Sequence, residues 1–159
     1  TYGGGVRCAN GSSPALINCS FEGNFAATNG GGLHCRDYSS PTVDGCSFIG
    51  NSAGQDGGGL GCYSNSSPIV LNCGVESNTA TYAGGGMRIE SSSPELVGCF
   101  FGDNSAWMGG GVRVDTSMAA FVDCTFDRAT FYNVDFDRTI FSNNSFIISA
   151  EMVSPDLNS

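Results

Sequence analysis

Lysine is absent from this chain, and charge of any kind is scarce: 13% of its 159 residues are charged, 15 acids against six arginines, for a net charge of -9. That balance argues against nucleic-acid binding, which needs a basic stripe facing the phosphates. It suits a surface exposed to cations. No apolar run approaches the ~18 residues of a membrane-spanning helix, and no charged-then-apolar leader is present, so neither span nor signal peptide is expected in this stretch. There is no CxxC pair, which removes the usual zinc spacing. There is no DxDxDG calcium loop either. No copy of the repeat described below carries a ten-residue helical pattern. What remains is rich in glycine, with 24 residues, and periodic.

Triple glycines begin at Gly3, Gly30, Gly57, Gly84 and Gly109, at intervals of 27, 27, 27 and 25 residues. A fixed period between roughly 20 and 50 residues marks a solenoid or a propeller. Other landmarks keep step. Pro14, Pro41, Pro68 and Pro94 each follow a serine pair, with Ala119 in that slot in the last copy, and Cys19, Cys46, Cys73, Cys99 and Cys124 follow at a constant offset. Phe21, Phe48, Val75, Phe101 and Phe126 come next. Asn24, Asn51, Asn78 and Asn104 follow, paired with Ala26, Ala53, Ala80 and Ala106.

Within a copy the apolar residues alternate, so the segments read as strands. After each triplet Val6, Leu33, Leu60, Met87 and Val112 precede Arg7, His34, Gly61, Arg88 and Arg113, and then come Cys8, Cys35, Cys62, Ile89 and Val114. A second strand carries Leu16, Val43, Val70, Leu96 and Phe121. It bends at Asn18, Gly45, Asn72, Gly98 and Asp123, residues that tolerate a left-handed backbone. A short third segment holds the asparagines and alanines. Three short strands per copy predict an all-β fold, a right-handed parallel β-helix (solenoid) of about 27 residues per coil. A propeller blade would need a period near 40. Coils stacked ~4.8 Å apart bring equivalent residues into rows, along which asparagines can pass hydrogen bonds from coil to coil.

Three stretches carry a resemblance: Phe21-Glu22-Gly23-Asn24 before Gly30-Gly31-Gly32-Leu33, Phe48-Ile49-Gly50-Asn51 before Gly57-Gly58-Gly59-Leu60, and Phe101-Gly102-Asp103-Asn104 before Gly109-Gly110-Gly111-Val112. They resemble the FxxN and GGA(I/L/V) motifs of chlamydial-type polymorphic outer-membrane proteins and related right-handed β-helix repeats of bacterial surface and secreted proteins. The resemblance covers about residues 1–118 and departs in having GGG where GGA is usual. It implies a passenger or stalk region, extracellular or at the cell surface, with a part in adhesion. The chain opens inside a repeat, so a longer parent protein is expected.

Cysteine spacing leaves more than one reading. Cys8 to Cys19, Cys35 to Cys46 and Cys62 to Cys73 are evenly spaced, as intracoil bridges would be. Yet Cys99 and Cys124 persist where the would-be partners have become Ile89 and Val114, and a bridge loses both ends together. Buried free thiols in a small apolar slot fit that exchange better.

From Ala119 the period changes. Phe121, Phe126, Phe131, Phe136, Phe141 and Phe146 fall every five residues, and Ala119, Cys124, Ala129, Val134, Thr139 and Asn144 each lie two before one of them. This resembles a pentapeptide repeat, in which four pentads make a square coil. The expected organisation is residues 1–118 as long coils, 119–148 as a tighter continuation of the same solenoid, and 149–159 as a cap or tail.

Candidate binding residues lie on the outer face of the first strand: Arg7, His34, Arg88 and Arg113 in one row, and Arg36, Tyr63, Glu90 and Asp115 in the next. Arg88 and Arg113 would repel mildly unless Glu90, Asp115 or a bound anion relieves them. A solvated face of crossed ion pairs is the plain expectation, and binding of an anionic sugar is the functional one. No catalytic residue and no metal ligand is assigned. His34 is expected beside Gly61 rather than beside a carboxylate, and neither the paired-Asp nor the Gly-His-Gly signature of pectin hydrolases occurs. Asp123, Asp127, Asp135 and Asp137 read as a solvated acidic edge, with calcium a weaker reading and no other cofactor expected. The sequence thus favours a structural or adhesive segment with a polysaccharide or surface glycan as partner. A fragment of a carbohydrate-active lyase- or hydrolase-like enzyme is the alternative, and self-association through stacked coils a third.

Overall fold

The computed structural model describes residues 1–132, 138–147 and 151–153. Among these, short strands fall into four parallel sheets. The first sheet stacks Val6–Cys8, Leu33–Cys35, Leu60–Tyr63, Met87–Glu90, Val112–Asp115, Thr130–Tyr132 and Glu151–Val153. The second sheet stacks Ala15–Ile17, Thr42–Asp44, Ile69–Leu71, Glu95–Val97, Ala120–Val122 and Ile140–Ser142, and the third runs from Ser20–Glu22 to Ser145–Ile147. Every strand pairs with its equivalent one coil away, so the first sheet holds Arg7, His34, Gly61, Arg88 and Arg113 in a single row.

The expected bend is sharper than a bend. Asn18, Asn72 and Asp123 have φ of 50, 50 and 52°, and this left-handed step divides the expected second strand between the second and third sheets. The asparagine–alanine segment therefore forms a fourth sheet of two-residue strands, Phe25–Ala26, Ser52–Ala53 and Thr79–Ala80.

The interior is built from rows. Phe21 and Phe48 stack at 4.8 Å with rings 7° from parallel, and Phe101 and Phe126 at 5.3 Å. Burying one such side chain contributes ~1.5–3 kcal/mol. Asparagines close the corner beside them: Asn24 Nδ2 donates to Asn51 Oδ1 at 2.9 Å, Asn51 Nδ2 to Asn78 Oδ1 at 3.0 Å, and Asn78 Nδ2 to Asn104 Oδ1 at 3.0 Å. A serine row does similar work at another corner. The backbone N–H groups of Ser39, Ser66 and Ser92 each donate to the serine hydroxyl of the next coil at 3.2 Å.

All eight cysteines are unbridged, and all but Cys19 are buried. Cys8, Cys35 and Cys62 occupy the same slot as Ile89 and Val114, and the thiols of the other row donate to nearby carbonyls, Cys73 to Leu71 O at 3.0 Å. Contact with Cys35 and burial push the Cys8 thiol up. A buried protonated thiol is a packing group rather than a nucleophile.

Near the C-terminus the coil shortens. Phe121 pairs with Phe141 and Phe126 with Phe146, twenty residues on, and the Cys124 N–H reaches Asn144 Oδ1 over the same interval. The rings of Phe121, Phe126, Phe131 and Phe141 pack together at 4.7–6.4 Å. Val134, Asp135, Phe136, Asp137 and most of the expected tail lie outside the described residues. Within that tail Glu151–Val153 is a further strand, paired with Thr130–Tyr132.

Candidate functional site

The first sheet's outer face is not the uniformly solvated face its alternation suggests. His34 is 2%, Arg88 6% and Tyr63 8% exposed. The cause is local. Tyr2, Asn29, Asp56, Ala83 and Met108, each just before a glycine triplet, form a row running alongside it, tied coil to coil through backbone bonds such as Gly30 N–H to Asp56 O at 3.0 Å. Side chains from this row and from the Tyr63 row then close over the middle one.

At Gly61 the middle row has no side chain, and Tyr63 folds into the gap. A Cβ built on Gly61 would lie 2.6 Å from Tyr63 Cε2. The Tyr63 ring thereby stacks on His34, with centroids 5.1 Å apart and planes 22° from parallel, while Tyr2 meets His34 at 5.2 Å. Arg7 and Arg36 each hold a guanidinium 5.8 Å from the Tyr2 ring centre, and Arg36 Nε is 2.8 Å from Asp37 Oδ2.

Two coils on, Asp115 serves both arginines of the row. Arg113 Nε lies 2.8 Å from Asp115 Oδ2, and Arg88 is paired to the same oxygen while also reaching Glu90 Oε2 at 3.2 Å and Ile89 O at 3.1 Å. The repulsion expected between Arg88 and Arg113 is thus met by a shared carboxylate. The Arg113 guanidinium lies 5.2 Å from the Tyr132 ring centre and 5.7 Å from that of Tyr82, whose ring in turn meets Trp107 at 5.4 Å. Trp107 is 75% exposed.

The eight sequence-derived residues therefore fall into two groups, with Arg7, His34, Arg36 and Tyr63 in one and Arg88, Glu90, Arg113 and Asp115 in the other. Asp56 adjoins both. Burial pushes its carboxyl up, against the pull of Arg88 and Arg113, and its charge helps raise the Tyr63 phenol, which burial raises most. Sequence reasoning missed Asp56, Tyr82 and Trp107. Their signal was position, one or two residues ahead of a glycine triplet, where they join the same face. Among the described residues no three His, Cys, Asp or Glu side chains are placed to hold a metal ion.

Burial, reinforced by Arg7 and Arg36, lowers the His34 pKa to about 4. Near its ordinary ~6.5, the unfolded chain takes up a proton that the folded chain refuses. Stability due to His34 is therefore intact above pH ~6.5 and falls as pH drops toward 4, by up to about 1.4 kcal/mol per pH unit. Asp56 titrates with the opposite sign, so the informative quantity is the difference between native and His34→Gln urea-unfolding profiles. That difference should be steepest between pH 4 and 6; parallel profiles would show that His34 is not held neutral.

A family model described as "Right handed beta helix region" matches residues 1–146, through both the long and the shortened coils. No curated protein matches the chain, and no solved structure does. With its parallel sheets, coil-to-coil register and a match over most of its length, the chain belongs to the right-handed β-helix family.

Proposed function

We propose that the chain is a structural, adhesive β-helix segment of a secreted or cell-surface protein, holding glycans on the outer face of its first sheet. The observation that carries this reading is the Trp107–Tyr82 ring pair beside Arg113. Exposed aromatic faces suit the C–H faces of sugar rings, and paired arginines and carboxylates beside them suit hydroxyls. The two rings stand on adjacent coils bonded to each other, Met108 N–H donating to Tyr82 O at 2.9 Å, so part of the order needed for binding is already in place. The repeat type is that of outer-membrane surface proteins, the shortened coil is of the pentapeptide type, and further stacking of coils gives self-association.

Asp56 favours a second reading. A half-buried carboxyl with a raised pKa beside two arginines could act as a general acid in a carbohydrate-active enzyme whose other coils lie elsewhere.

The test is incubation with neutral and anionic polysaccharides, with calcium and with chelator, following both retention and release of shortened or unsaturated products. Retention without products is expected, reduced about tenfold, or ~1.4 kcal/mol, by Trp107→Ala. Product release abolished by Arg88→Ala or Arg113→Ala would replace adhesion with catalysis. Retention unchanged by Trp107→Ala would remove the aromatic platform from the argument.

A further inference from the structure

Away from Trp107, at the other end of the same face, a pocket of about 180 Å³ opens between Tyr2, Asn29, His34, Arg36, Tyr63 and Ser64. Four buried polar atoms of its lining have no hydrogen-bond partner in the protein: Asn29 Oδ1, His34 Nδ1, the Tyr63 hydroxyl and Arg36 Nε, the last of them held in the ion pair with Asp37. His34 and Tyr63 are themselves more than nine-tenths buried. A buried polar group left unpaired costs ~1–3 kcal/mol. The uncharged ones among these groups belong to residues that line one small space, two of them with stacked rings, and together they offer a preorganised set of contacts for something from outside.

We propose that this pocket binds a single neutral sugar ring. The Asn29 oxygen only accepts, the Tyr63 hydroxyl both donates and accepts, and a neutral imidazole nitrogen does one or the other. Neighbouring hydroxyls of a sugar, each donor and acceptor at once, satisfy such a mixed set as a carboxylate or phosphate, rich only in acceptors, does not. The Tyr2 ring, 44% exposed, supplies an apolar wall for the C–H face of the ring.

Charge points the same way. Arg36 is already paired with Asp37, Arg7 packs on Tyr2 without lining the pocket, and His34 is held neutral. The Asp56 charge acts on Tyr63 while Arg7 and Arg36 act on His34, so the pocket has no single sign of charge to select an anion. Size sets the limit: sites for drug-sized ligands run to ~300–1,000 Å³, and this one takes one ring rather than a chain. The inference rests on the glycan reading of this face and specifies a second place on it, built from different residues.

Gly61 makes the site possible, because a side chain there would displace the Tyr63 ring from His34. The experiment is an NMR titration of the His34 and Tyr63 ring signals with glucose, galactose, mannose and N-acetylglucosamine, set against glucuronate and galacturonate. Saturable shifts with at least one neutral sugar are expected, with Kd on the order of 1 mM. Tyr63→Phe, which keeps the ring and removes only the hydroxyl, should weaken binding about tenfold, or ~1.4 kcal/mol. Gly61→Ala should abolish it, and a thermal melt of each variant reports folding. Should Gly61→Ala fail to fold, Tyr63→Phe still decides.

Trp107→Ala should leave these shifts unchanged while polysaccharide retention falls, so failure of either site is read separately. No saturable shift with any neutral sugar, a stronger response to the uronates, or binding unaffected by Tyr63→Phe would each overturn the proposal.

Discussion

Asn78→Ala is expected to destabilise the protein by about 4 kcal/mol or more, near the upper end of single-substitution effects. The side chain is fully buried and makes four hydrogen bonds. Its oxygen accepts from Asn51 N at 2.9 Å and Asn51 Nδ2 at 3.0 Å, while its nitrogen donates to Phe48 O at 2.9 Å and Asn104 Oδ1 at 3.0 Å. Alanine removes all four, strands the Asn51 N–H in an apolar interior and leaves Phe48 C=O with its strand pairing alone. A stranded group costs ~1–3 kcal/mol, and the cavity left behind adds to that. In a domain of this size ~1 kcal/mol shifts the melting midpoint by 2–4 °C, so a drop of about 10 °C is expected. Asn24→Ala is the comparison. Asn24 is half-buried and only donates to the next rung, so its loss should cost about 1 kcal/mol. Equal losses at the two positions in urea or thermal melts would show that the ladder is not a connected structure.

Gly58→Ala should be at least as damaging, for a reason of space alone. Its Cβ would lie 2.4 Å from Gly85 O in the next coil and 2.4 Å from Thr79 O, with Thr79 C at 2.6 Å. These are backbone atoms held in coil-to-coil bonds, so no side-chain rotation relieves the clash, and the coils must separate locally. A loss beyond ~4–5 kcal/mol or failure to fold is expected. Gly50→Ala isolates the other cost a glycine can carry. Gly50 has φ of 62° and an open neighbourhood, so only the left-handed backbone is penalised, at ~1–2 kcal/mol. Denaturation midpoints rank the three proteins, and Gly58→Ala folding as well as Gly50→Ala would mean that coils do not approach so closely there.

Such crowding extends to the third glycine of the triplet. A Cβ on Gly32 would lie 2.7 Å from Gly59 O and 2.8 Å from Phe48 Cδ1. A side chain at this third glycine must displace the backbone of the next coil.

The coil was legible because its cause is local and repeated: glycine triplets, alternation of period two and asparagines at constant spacing each required the same stacking. Even the left-handed steps at Asn18 and Asn72 could be named in advance. The face was less legible. Alternation says which way a side chain starts, not what closes over it, so His34, Tyr63 and Arg88 were expected in solvent and are buried. That burial depends on a missing side chain at Gly61 and on residues such as Tyr2 and Asp56 from loops that carry no periodic apolar signal. Trp107 escaped notice for the same reason, lying in a segment with no alternation of its own.

The register has a mechanical side. Each coil is bonded only to its neighbours, and the asparagine, serine and strand hydrogen bonds all run along the axis. Tension applied end to end therefore falls on successive coil interfaces in series. One interface yields while the rest stay closed, and the chain lengthens a coil at a time, absorbing work at every step. A sideways load meets many interfaces together. A solenoid built this way gives gradually when pulled and stands stiff when bent.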